Sequence, residues 1–149
     1  MREVHIAGVV SGVAPDDVFA AVTDVEAFPA FCSDVQEVRV DVDDGVRRSA
    51  WKVHFRGGTL EWLEHDELDP AARTMTFRRI DGDFKEFHGS WHVEDRGPHC
   101  AVDFNVSFDL GIPGLRAVLE PIAAKSLRGN LSAVLRGLFG SALQLEGGQ

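Results

Sequence analysis

Between Val35 and Leu110 a turn signal recurs about every dozen residues: Asp43-Asp44-Gly45, Gly57-Gly58, Asp69-Pro70-Ala71, Asp81-Gly82-Asp83 and Arg96-Gly97-Pro98. Glycine supplies positive φ at such points, and aspartate bonds its own backbone. The runs between them follow a period of two. In the clearest run, Val102, Phe104, Val106, Phe108 and Leu110 alternate with Asp103, Asn105, Ser107 and Asp109. That pattern belongs to a strand with one buried and one wet face. The spacing predicts six antiparallel strands joined by tight turns.

The flanks change period. Glu3 to Val13 is rich in Val and Ile and reads as a first strand. Ala14-Pro15-Asp16-Asp17 starts a helix, since proline suits its first turn and acids suit the positive end of its dipole. A second short helix is expected over Glu26 to Phe31. Ile112-Pro113-Gly114 opens a long helix to about Phe139, with Leu115, Leu119, Ile122, Ala123, Leu127, Leu131, Val134 and Leu138 as its apolar stripe. A sheet with one apolar face needs a cover, and this helix is the only large apolar element left. The expected fold is α+β: a seven-stranded curved antiparallel sheet around a long C-terminal helix. The gap near the short helices is a natural small-molecule cavity.

Composition narrows the function. The chain has 149 residues, 44% hydrophobic and 26% charged, which suits one folded domain over 1–149 and argues against wholesale disorder. A formal charge of −9 argues against nucleic acid and against anionic membranes. No apolar run approaches the ~18 residues of a membrane span. MREVHIAGVV lacks the pattern of a secretory signal, so the expected compartment is the cytoplasm. Only three of the 15 basic residues are lysines, a bias typical of a GC-rich bacterial genome. Cys32 and Cys100 have no metal-ligand spacing and read as small buried hydrophobes. His88 and His92 lie on a wet strand face without a third ligand, so no metal is expected. No GxSxG nucleophile motif occurs, and Gly57-Gly58 is a turn rather than a phosphate loop. The closing LEGGQ reads as a frayed tail.

Ala14-Pro15, Val18-Phe19, Asp24 and Phe28-Pro29-Ala30-Phe31 match the opening pattern of a known superfamily. So do Asp81-Gly82-Asp83-Phe84-Lys85-Glu86-Phe87-His88-Gly89-Ser90-Trp91, Cys100 to Phe104 and the long final helix. Over nearly its whole length the chain resembles the helix-grip (START/Bet v 1-like, SRPBCC) superfamily. Its members include polyketide cyclase/aromatases, coenzyme-Q-binding proteins and lipid-transfer domains. The resemblance implies a deep cavity for hydrophobic ligands. In the aromatase branch it implies aldol cyclisation and dehydration of a poly-β-ketone delivered by an acyl carrier protein, with no cofactor. The quinone-binding branch implies a non-catalytic carrier of a quinone, lipid or other hydrophobic small molecule. A third branch implies a regulator acting on ribosomes, which the net charge disfavours for direct RNA contact.

Pleat alternation selects the cavity wall. If the apolar sides face inward, the wall holds Trp51, Phe55, Trp62, Met75, Phe77, Phe87, Trp91, Phe104 and Phe108, with Phe31 added from the second short helix. Ser126 and Asn130, one helical turn apart, are candidate hydrogen-bonding partners of a ligand. Alternation also carries Glu64, Asp66 and Arg79 inward, where unpaired polar groups are costly. They read either as a structural ion pair or as catalytic groups. In the second case Arg79 would hold a carbonyl or enolate oxygen and a carboxylate would move the proton. The sequence departs from the aromatase pattern at two points. Asp66 stands where that branch usually carries arginine. The chain has no tyrosine, and Val35 stands where that branch often has one. The tryptophan pair Trp62 and Trp91 matches.

Overall fold

A computed structural model describes residues 1–148. The chain runs β1 (Arg2–Ser11), α1 (Pro15–Thr23), a 3-10 helix (Val25–Ala30), β2 (Val35–Asp43), β3 (Val46–Phe55), β4 (Gly58–Asp69), β5 (Thr74–Gly82), β6 (Glu86–Asp95), β7 (His99–Asp109), α2 (Arg116–Phe139) and β8 (Leu143–Leu145). All strands join one antiparallel sheet in the order β2-β3-β4-β5-β6-β7-β1-β8. This is the expected helix-grip architecture with eight strands rather than seven.

The additional strand is short because only Leu143 to Leu145 pair with Gly8 to Val10. Three residues carry too little period to be legible in sequence. Gly8 makes room for them: a Cβ there would stand 3.1 Å from Leu145 Cδ2 and 3.3 Å from Leu143 Cδ1. Leu145 therefore belongs to the sheet instead of a frayed tail, Glu146–Gly148 forms a 3-10 turn, and Gln149 lies outside the described residues. The second short helix is 3-10 in form, with i to i+3 bonds such as Phe31 N–H to Phe28 O at 3.0 Å, and contains Pro29. The long helix starts at Arg116 instead of about Pro113, because Gly114 at φ +82° cannot continue a helix backward. Leu115 consequently leaves the buried stripe and is exposed.

The inner face of the sheet is the core. Ile6, Trp91, Val102, Phe104 and Val106 are buried on it, and Ala123, Leu131, Val134 and Leu135 of α2 are also buried. A clamp fixes where α2 begins. Arg116 Nη2 donates to Asp109 Oδ2 at 2.8 Å, and Glu120 Oε2 accepts from the Leu110 N–H at 3.2 Å. The Gly111 N–H also donates to Asp109 Oδ1 at 2.8 Å. That backbone bond, with the charges of Arg116 and Lys85, holds the Asp109 carboxyl below the ordinary range.

β6 and β7 approach closely at Gly89, between the inward Phe87 and Trp91. A Cβ on Gly89 would collide with the Asn105 carbonyl oxygen, and it would lie 2.8 Å from Val106 Cα. A glycine inside a strand permits such an approach. Gly89→Ala is expected to destabilise the fold by about 1–3 kcal/mol, the usual range for overpacking. Urea denaturation checks this, and wild-type stability would show that the strands separate freely there.

Candidate active site

The site is built on the β3–β4 hairpin. Arg56 at φ +52° and Gly57 at φ +77° form a two-residue turn with both central residues left-handed, the type I′ geometry that matches strand twist. That turn pairs Phe55 with Gly58 and sets the ladder behind it. Trp51 then faces Trp62, Ser49 faces Glu64, and Arg47 faces Asp66. Side chains two apart share a face, so these three pairs form one row on the inner side. The row grades from stacked indoles to a buried hydroxyl and carboxyl, and then to an ion pair.

The indoles of Trp51 and Trp62 are parallel, with centroids 5.7 Å apart and planes inclined by 2°. Phe28 meets Trp51 edge-on at 5.9 Å, and Trp91 lies against Phe104 at 4.7 Å. Phe84 packs on Phe87 at 4.8 Å and on Trp62 at 5.2 Å. These rings enclose a cavity whose free space is about 70 Å³. That is room for a few waters. A multi-ring molecule enters only when the aromatic side chains move apart.

Glu64 is the only carboxyl that lines this cavity among the described residues. It is 3% exposed. Its Oε1 accepts from Trp62 Nε1 at 2.9 Å, and the Ser49 hydroxyl also bonds to it. Ser49 Oγ in turn accepts from Trp51 Nε1 at 2.9 Å. Burial pushes the Glu64 carboxyl well above the ordinary range, and Asp66 pushes it further by hydrogen bonding and by charge. The Trp62 and Ser49 donors pull the other way and are outweighed. Glu64 thus keeps its proton where a surface glutamate has ionised. A carboxyl that holds its proton to higher pH than a surface glutamate therefore faces a mostly apolar chamber.

The structure sorts the sequence-derived candidates into three groups. Trp51, Phe55, Trp62, Met75, Phe77, Phe87, Trp91, Phe104, Phe108, Ser126 and Asn130 line the cavity together with Glu64. Asp66 lies one pair further along the row, behind Glu64, with Arg47 Nε 3.3 Å from its Oδ2. Arg79 and Phe31 stand apart. Arg79 is a ladder neighbour of Glu64, but Ile80 bulges out of β5 beside it. A bulge re-aims side chains, and the Arg79 guanidinium bonds the Gly82 carbonyl at 2.8 and 3.2 Å instead of the carboxylates. Phe31 lies past the end of the 3-10 helix, packs over Gly137 of α2 and is partly exposed.

The sequence reading missed Ser49 and Arg47, although extending the alternation of Trp51, Val53 and Phe55 backward reaches both. It also missed Phe28 and Phe84. Phe28 sits in the 3-10 helix, and Phe84 sits in a turn at φ +73°, where strand parity says nothing. Cys32, outside the cavity wall, directs its Sγ to Asn130 Oδ1 at 3.5 Å. Among the described residues no cluster of three His, Cys, Asp or Glu is placed to hold a metal ion.

A sheet gripping one helix around an aromatic chamber defines the helix-grip class of small-molecule-cavity proteins. Within it, the profile of the family described as polyketide cyclase/dehydrase and lipid transport matches residues 11–135, and the chain belongs to that family. Among solved structures, TTHA0849 of Thermus thermophilus is similar, at 25% identity and TM-score 0.82 over 95% of this chain and 97% of that one. The Zhui aromatase/cyclase of Streptomyces sp. R1128 shares the fold at 19% identity and TM-score 0.78, over 92% and 93% of the two chains. The di-domain aromatase/cyclase BexL is 26% identical, at TM-score 0.68 over 90% of this chain and 45% of that one. No curated protein matches the chain.

A buried acid that must hold its proton costs stability once its unfolded counterpart ionises. Because folding raises the Glu64 pKa, the contribution of Glu64 to stability is fully present below the ordinary glutamate pKa and falls as pH rises toward the folded value. Glu64→Gln removes this dependence. Its melting temperature is expected to exceed wild type near neutral pH, by the equivalent of about 1 kcal/mol. The gain should vanish in acid. Parallel thermal melts across pH check this, and a variant less stable than wild type at neutral pH would contradict it.

Proposed function

We propose that this protein is a cofactor-independent cyclase/dehydratase that folds a flat, hydrophobic, polyketide-like molecule inside the aromatic chamber. The observation that carries the reading is the buried Glu64 carboxyl, its pKa pushed up by burial and by Asp66, facing a mostly apolar cavity. Family membership and the likeness to proteins named aromatase/cyclase support it. In the dehydration of a β-hydroxy ketone, the Glu64 proton passes to the departing hydroxyl as the carbon–oxygen bond breaks and water leaves. The carboxylate so formed takes the proton from the adjacent carbon. The released electron pair becomes the new double bond, and Glu64 is neutral again. The stacked indoles hold the chain in the bent conformation that ring closure needs. Ser126 and Asn130 supply hydrogen bonds to substrate oxygens from α2.

A second reading, a carrier of a quinone or lipid, is favoured by the nearly unbroken apolar lining and by the lipid transport in the family description. One experiment separates them. Purified protein is incubated with a soluble thioester of a linear poly-β-ketone, and products are followed by mass spectrometry. Glu64→Gln is expected to reduce turnover by about 10²–10⁴-fold while still binding a planar probe such as naphthoquinone. Trp62→Ala and Trp91→Ala are expected to weaken that binding. No turnover by wild type, with a ligand extracted chemically unchanged, would establish the carrier. Full turnover by Glu64→Gln would remove Glu64 from the chemistry.

A further inference from the structure

The side chain of Asp66 is fully buried, yet neither carboxylate oxygen meets an aligned N–H or O–H donor from a fixed hydrogen position. Arg47 approaches Oδ2 at 3.3 Å through Nε without hydrogen-bond alignment. The guanidinium spends Nη2 on the Thr23 carbonyl at 2.7 Å, at the C-terminal, negative end of α1. A buried carboxylate with no hydrogen-bond donor is costly. Besides the misaligned Arg47 Nε, the acid proton of Glu64, its neighbour along the same strand face, can bond it.

We propose that Asp66 and Arg47 are positioning residues for Glu64: the Asp66 carboxylate, anchored by Arg47, accepts the Glu64 proton in a hydrogen bond and so fixes the orientation of the carboxyl at the cavity wall. The inference rests on the reading of Glu64 as the cavity's proton-transfer group, and names what controls it. The charge balance supports it. Arg47 and Asp66 cancel, so the row is neutral while Glu64 is protonated and carries an excess negative charge once it ionises. The other groups facing Glu64 do not supply a compensating cation. β3 contributes Ser49 and Trp51, and α2 contributes Ser126 and Asn130 to the cavity; none of these ionises in the relevant range. Val25 and Phe28 of the 3-10 helix are apolar. Arg79 on β5 is turned to Gly82, and His54, the remaining titratable lining residue, is near the β3 end beyond Val53. The consequence is a resting site that turns a neutral carboxyl rather than an anion to the cavity, with its single proton held in the bond to Asp66 until a substrate oxygen takes the place of that acceptor.

Infrared difference spectroscopy of the intact protein tests this without any substrate. The wild-type minus Glu64→Gln spectrum isolates the Glu64 carboxyl, whose un-ionised C=O stretch is separate from the carboxylate bands. At neutral pH the un-ionised band is expected in wild type. Asp66→Asn should shift loss of that band to lower pH, because the negative neighbour is gone. Arg47→Gln should shift it to higher pH, because the balancing cation is gone. Opposite shifts from the two ends of the row are a signature that simple loosening of the fold does not produce. Near-UV circular dichroism of the tryptophans verifies folding; if Asp66→Asn does not fold, Arg47→Gln still decides, because loosening would hydrate Glu64 and shift its band the other way, and if Arg47→Gln does not fold, Arg47→Met takes its place. An ionised Glu64 in wild type at neutral pH, or an unchanged titration in the folded variants, would overturn the proposal. If the band behaves as expected while Glu64→Gln keeps full turnover, the positioning role stands and the catalytic reading falls.

Discussion

The inner face of the sheet carries Trp51, Trp62, Phe77, Trp91, Phe104 and Phe108 side by side, and water is excluded from it only if α2 lies across it. Everything inside the protein depends on that contact. The Asp109–Arg116–Glu120 clamp sets where the helix starts, and β8 follows it onto the edge of β1. With the helix in place the rings fill nearly all the space beneath it. The same aromatic contacts therefore stabilise the empty protein and form the wall that a ligand meets. Ring pairs of this kind contribute about 0.5–1.5 kcal/mol each beyond their burial. A ligand must replace those contacts with its own, which favours flat unsaturated molecules.

Within that shell the β3–β4 hairpin sets the polar groups of the cavity wall. A tight turn at Arg56-Gly57 locks the register, and the register converts two alternating sequences into a graded row. The indoles at the cavity end give the carboxyl of Glu64 an apolar setting. The ion pair at the other end keeps the row electrically neutral when Glu64 is protonated. The desolvation of a buried ion pair can exceed its Coulombic gain, so the row is weak evidence for stability by itself.

Much of this was legible in the chain. Period-two alternation and the turn residues gave the meander, and the switch to period 3.6 gave the covering helix. Parity placed the strand aromatics and Glu64 on the inner face, because hydrophobic burial and the pleat are local and repeat along the chain. The motifs from Ala14 to Phe31 and from Asp81 to Trp91 pointed to the superfamily.

Tertiary structure alone decided the partners. Parity put Arg79 beside the carboxylates, but the bulge at Ile80 turned its guanidinium to Gly82, and the cation beside Asp66 comes instead from Arg47 across the hairpin. Phe28 lines the cavity in place of Phe31 because the 3-10 helix ends at Ala30 and Phe31, beyond it, packs over Gly137 of α2. Phe84 reached the cavity from a turn, where no period operates, and β8 formed because Gly8 leaves room for two leucines. In each case the deciding quantity is a contact between residues far apart in the chain or a local break in the regular backbone. Alternation fixes which face a residue occupies, whereas a bulge, a turn or a missing Cβ fixes what it touches.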